Sequence, residues 1–258
     1  MFNDITKSKD QIINYLLILL SIVILFTLLS GFLCEVRYDN SSYCNLSFIK
    51  NLFRENGFIE SLQSILLLFS ILLLINIFRK LENKNFLKVF IFFKILLLIY
   101  YLGEEISWGQ HFFNLKSPKI FIELNNQEEI NLHNISNIFN QLPRSLVILW
   151  CGFVPIFFNL IKNKYFLKSN FTLIFLPNTK LLFVSFIFLI LFLPDFMIDK
   201  LGLHPGHHLD GADIKSAFYF DLISFNYVER LSELHELVFC FYFLIYSVSF
   251  SKKLNFLR

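Results

Sequence analysis

Gly103-Glu104-Glu105-Ile106-Ser107-Trp108-Gly109-Gln110-His111 sets two adjacent carboxylates, a hydroxyl, an amide and an imidazole directly after the apolar run Phe86–Leu102. On a continuing helix, Glu104, Ser107 or Trp108, and His111 recur at i, i+3/i+4 and i+7 and share one face, while Glu105 and Gln110 point elsewhere. A poorly hydrated carboxylate beside a second one can hold a proton and work as an acid or base. Beside a histidine and a cation it can instead be a ligand. The plain alternative is a hydrated polar cap on a helix end. Ionisable groups at membrane depth are costly and mark functional sites by default, which favours chemistry here.

Other segments carry similar groups. Glu60 and Gln63 fall on one face at the start of an apolar run, and Glu229, Glu233 and Glu236 follow i, i+4, i+7 with His235 one step away. Asp195 and Asp199 close another run, and Asn131-Leu132-His133-Asn134 can bring His133 back toward the same level. The expected site is therefore a pocket where helix mouths meet. Glu104 or Glu105 is its base or ligand, His133 and His235 are ligands or acid–base partners, and Glu60 and Glu236 are supporting groups. His133, His235 and Glu105 are the candidate ligands for a divalent metal such as zinc, which would polarise an oxygen and activate water. His204-Pro205-Gly206-His207-His208-Leu209-Asp210 also has metal-compatible composition, but no H-E-x-x-H spacing, and reads as adventitious binding.

The elements that position these groups are membrane spans. The 258 residues are 55% hydrophobic with a mean hydropathy of +0.58, too apolar for a soluble domain of this size. The fold class is all-α: a polytopic membrane protein of about six transmembrane helices with two large extracytoplasmic loops, 103–144 and 194–233. The spans run Gln11–Phe32, Phe58–Phe78, Phe86–Leu102, Ser145–Ile161, Leu181–Leu193 and Leu234–Phe250, in one integral membrane domain over 1–258. The fifth is short and can extend back through Phe171–Leu176, with Pro177 as a break. A short amphipathic helix ending at Pro143 precedes the fourth. Turn-rich alternating strands of a membrane barrel are absent from the pattern.

Charge orients the chain. The short segments at 79–88 and 162–180 are rich in Lys and Arg, so both termini are expected in the cytoplasm of a bacterial inner membrane. Of the twenty acids only Asp4, Asp10 and Glu82 fall on that side, and all six histidines fall on the other. Lys94 lies within the third span and is expected to snorkel inward. No basic face interleaved with aromatics points to nucleic acid. Cys34 and Cys44 share the first outer loop, either bridged or free; Cys151 and Cys240 fall in spans as packing residues.

Gly103–Gln110, Asn131–Asn134 and the upstream Asn56-Gly57-Phe58-Ile59-Glu60 together resemble a family of uncharacterised multi-pass bacterial membrane proteins, over the second to fourth spans. The family has no assigned activity, so the resemblance implies a fold and no chemistry. An Arg tends to stand there where this chain has His111, which favours Glu104, Glu105 and His133 over His111. Ser107-x-x-x-His111 also resembles part of the motif of the membrane hydrolases that include alkaline ceramidases and adiponectin receptors. Their zinc-binding H-x-x-x-H in the final helix is here His235 and Phe239. The functional expectation is an enzyme acting on a membrane lipid or lipid-linked envelope substrate by acid–base or metal-assisted hydrolysis or transfer. The alternatives are an ion- or proton-coupled transporter and a non-catalytic scaffold.

Overall fold

A computed structural model describes residues 2–37, 57–81, 85–124, 130–132, 135, 137–161, 178–200 and 231–256. The described residues are almost entirely helical, with no strand among them. The long elements are α1 (Phe2–Arg37), α2 (Phe58–Lys80), α3 (Asn85–Glu105), α6 (Asn137–Val147), α7 (Val154–Ile161), α8 (Leu181–Lys200) and α9 (Leu231–Phe256). The short helices α4 (Gln110–Phe113) and α5 (Lys119–Leu124) follow α3. Five helical stretches are long and apolar enough to cross a membrane: Ser8–Thr27, Phe58–Lys80, Phe86–Glu105, Leu142–Leu160 and Leu234–Leu254. In α8 the apolar stretch Leu181–Leu191 is shorter. These helices mark an integral membrane protein, because a helix satisfies its own backbone in hydrocarbon. Their outward faces agree: Ile18 and Leu25 on α1, Leu68 and Leu72 on α2, Phe92 and Phe93 on α3, and Phe186 and Ile190 on α8 are all exposed.

α9 is the central pillar. Of the Leu234–Leu254 stretch 89% is buried, against 17% for Ser8–Thr27 of α1. α2, α8 and α1 lie directly against it, while α3 reaches it through large side chains such as Tyr101, whose ring meets Phe239 edge-on at 4.7 Å. The same pairing makes α3 antiparallel to α9. At the far end α1 is tied to α9 by Lys9 Nζ donating to Ser251 Oγ at 2.8 Å and by the Lys252–Asp10 ion pair. The turn before α8 is tied to α1 by Lys180 donating to Asn14.

Several expectations are corrected by this architecture. The helix before the fourth span does not end at Pro143. It runs through that residue and joins α7 by a π turn, Ile148–Phe153. The cause of the wide turn is Pro155, which has no N–H for the Cys151 carbonyl four residues back and crowds it sterically. Ser185 Oγ of α8 fills that role, lying 2.5 Å from the Cys151 carbonyl and 3.0 Å from that of Leu181. Gly152 lets α8 come in close: a Cβ there would sit 2.8 Å from Leu189 Cδ2. Cys34 lies on the last turns of α1 rather than in a loop; Cys44 is outside the described residues, and so is the bridge. Cys151 and Cys240 are buried thiols. The proposed extension through Phe171–Leu176, with Pro177, and the His204–Asp210 stretch also lie outside the described residues.

Candidate functional site

The motif after α3 folds back on itself instead of continuing as a helix. α3 ends at Glu105, and Ser107, Trp108 and Gly109 then take left-handed φ values of 46°, 52° and 81°. A left-handed turn of this kind is costly for residues with a Cβ, and only Gly109 takes it freely. The periodicity that placed Glu104, Ser107/Trp108 and His111 on one helical face therefore stops at Ile106. What holds the turn is Glu104, 6% exposed. Its Oε1 accepts from Trp108 Nε1 at 2.9 Å, and its Oε2 accepts from the backbone N–H of Leu132 at 2.7 Å, 28 residues ahead. Gln110 does the same one turn on: its Oε1 accepts from the Ile130 N–H at 2.7 Å and its Nε2 donates to Ser117 Oγ at 2.8 Å. Gly103 makes room for the indole, since a Cβ there would lie 2.9 Å from three of its ring atoms. Two oxygens of the motif thus hold two backbone N–H groups of the segment that returns from the loop.

A separate polar cluster stands where α3, α6, α8 and α9 meet. Tyr101, Arg144, His235 and Glu236, with Val147, Ile148, Phe188 and Phe239, line a small cavity of ≈ 20 Å³, room for about one water. His235 is 3% exposed and stands edge-on to the Phe188 ring at 6.2 Å. Tyr101 is partly buried, with Glu236, Glu105 and Arg144 all within electrostatic range of its hydroxyl. Tyr101, Arg144 and His235 each lie within about one turn of an end of the apolar stretch that carries them. The cavity therefore sits at one common end of the apolar stretches. Chemically it offers an imidazole, a carboxylate, a phenol and a guanidinium around a water-sized space.

Of the residues expected to form a site, His235 and Glu236 are brought together in this wall, with Glu105 in electrostatic reach of its tyrosine. Glu104 lies at the neighbouring latch. Glu60 is half-buried in the first turn of α2 and is not among the lining residues. His133 is outside the described residues, and so is the metal set that includes it. Among the described residues no three His, Cys, Asp or Glu side chains gather as a metal-holding group. Arg144 and Tyr101 were missed. Tyr101 stands four residues before Glu105 on the same helix, which is a legible signal; Arg144 next to Pro143 is legible only once the helix is known to pass through the proline.

Lys94 does not snorkel. It is 5% exposed, and its ammonium is enclosed by the rings of Tyr246 at 3.1 Å, Trp150 at 4.6 Å, Phe243 at 5.5 Å and Phe90 at 5.7 Å from their centroids. The reason is its face: Lys94 is seven residues from Tyr101, two turns along α3, and like it points at α9.

Set against known protein families, curated proteins and solved structures, the chain matches none of them.

Proposed function

We propose that the protein is an integral membrane enzyme that acts on a lipid or lipid-linked substrate at one face of the bilayer, with the Tyr101–Arg144–His235–Glu236 cavity as its acid–base centre. The observation that carries this reading is the cavity itself: titratable groups around a water-sized space at the ends of the apolar stretches. In it His235 moves the proton, Glu236 adds a negative charge to the same cavity, and Arg144 attracts an anionic headgroup. Glu105 adds to the field at Tyr101. Glu104 serves as the latch that keeps the returning loop in place. The basic segments at 79–88 and 162–180 support cytoplasmic termini, and with that orientation the cavity belongs to the extracytoplasmic side of a bacterial inner membrane in this reading.

The test is direct conversion. The purified protein is placed in liposomes of phosphatidylethanolamine, phosphatidylglycerol and cardiolipin, and the products are followed by mass spectrometry. The expected result is time-dependent loss of one lipid class, abolished in His235→Gln and reduced in Arg144→Gln. No conversion of any lipid by the wild type, or full conversion by His235→Gln, overturns the reading.

A further inference from the structure

The face of α9 that begins at the cavity continues through the membrane. His235, Tyr242, Tyr246 and Ser249 are spaced by seven, four and three residues, so they form one stripe along the central helix. All four are buried, and the hydroxyls of Tyr242 and Ser249 make no hydrogen bond among the described residues. Lys94 meets this stripe at mid-membrane, about 10 Å below Tyr101 on α3. Its Nζ likewise has no hydrogen-bond partner among the described residues. The titratable side chains against it are Cys151 on the π turn and Tyr246 on α9, with Tyr242 stacked next to Tyr246 at 6.4 Å. No carboxylate among the described residues stands with them. Just beyond Ser249, Ser251 accepts from Lys9 and Lys252 pairs with Asp10 at the opposite end of the bundle.

An amine at that depth, without an acid to neutralise it, is expensive in a membrane and is retained for function by default. The ring faces offset only part of the cost of desolvating it. The turn beside it is a π turn, a departure from regular helix that occurs frequently at functional sites. Polar groups are costly in lipid-spanning interiors, yet this stripe carries one at each of four positions along the central helix.

We propose that this seam conducts protons between the mouth cavity and the opposite end of the bundle, with Lys94 as the mid-membrane proton carrier. The ammonium gives a proton to a group on one side and the amine takes one from the other. Each hydroxyl along the stripe accepts one proton and releases another. Only N–H and O–H bonds are exchanged, one positive charge crosses per cycle, and the proton gradient supplies the driving force. The proposal stands apart from the lipid chemistry at the mouth, and either can fail without the other.

The experiment uses the full chain in phosphatidylcholine vesicles loaded with a pH-sensitive dye, with a potassium–valinomycin potential driving proton entry. The expected result is acidification faster than in protein-free vesicles, lost in Lys94→Met and slowed in Tyr242→Phe. Lys94→Met keeps the length and bulk of the side chain, and its reconstitution is checked by gel filtration; if it does not reconstitute, Tyr242→Phe decides, because it removes a single hydroxyl and leaves the ring. Wild-type vesicles no faster than protein-free ones overturn the proposal. So does a wild-type rate in Lys94→Met, or in Tyr242→Phe where that variant decides.

Discussion

Glu104→Gln separates anchoring from chemistry at the motif that first draws the eye. The carboxylate accepts from Trp108 Nε1 at 2.9 Å and from the Leu132 N–H at 2.7 Å. Glutamine keeps one acceptor oxygen and turns an NH2 group toward the other donor, so one bond is lost and two donors face each other. Hydrogen bonds to a charged group contribute about 1.5–3 kcal/mol each. Trp108 is 46% exposed and its N–H can turn to water, so the side chain keeps its oxygen on Leu132 and the loss falls near the lower end, about 1.5–2 kcal/mol. For a chain of this size that corresponds to a fall in Tm of roughly 3–8 °C. Glu104→Ala strands both donors and falls further. The assay is thermal unfolding in detergent followed by tryptophan emission, with only Trp108 and Trp150 contributing. Trp150→Phe isolates Trp108, whose emission should shift as the indole leaves the carboxylate. A Glu104→Gln protein with unchanged Tm and unchanged Trp108 emission would refute the latch and return Glu104 to the list of chemical groups.

Gly103→Ala puts a methyl 2.9 Å from the Trp108 ring; the indole must shift, and the same emission change as in Glu104→Gln should appear, without it in Gly109→Asn, since asparagine tolerates the left-handed turn. Ser185→Ala leaves the Cys151 carbonyl without its 2.5 Å partner and should cost about 1–3 kcal/mol in a denaturation midpoint. The cost should shrink in a Pro155→Ala background, where an N–H is restored to the helix, and an additive double-mutant cycle would refute this account of the π turn. Asp10→Asn breaks the Lys252 pair, whose side chains are 21% and 40% exposed; a change above about 1 kcal/mol would be inconsistent with a solvent-screened pair.

The spans were legible because hydrocarbon imposes a local requirement, about twenty apolar residues in a row. The second starts at Phe58 both in the pattern and in the helix. His235 and Glu236 were legible as candidates because acids and imidazoles at a span's end are rare enough to stand out, and the structure places both on one cavity wall. The shape of the Glu104 motif was not legible, since its helical periodicity is overruled by a backbone N–H 28 residues away. Lys94 was read as snorkelling because length and charge are visible in a sequence but the face of the helix that meets aromatic rings is not. Arg144 was hidden by Pro143, which looks like a stop and is carried within a helix.

By itself the sequence determined that the chain crosses a membrane by helices, since that depends on composition over short windows. Only the tertiary structure decided which helix is central. α9 has lower mean hydropathy than α2 and yet is the most buried, because a helix surrounded by protein can keep tyrosines and serines that lipid would penalise, whereas a lipid-facing one cannot. Leucine and phenylalanine serve equally against acyl chains and against other helices, so their pattern carries little information about neighbours. The placing of Tyr101, Arg144, His235 and Glu236 around one water-sized space follows from that choice of neighbours.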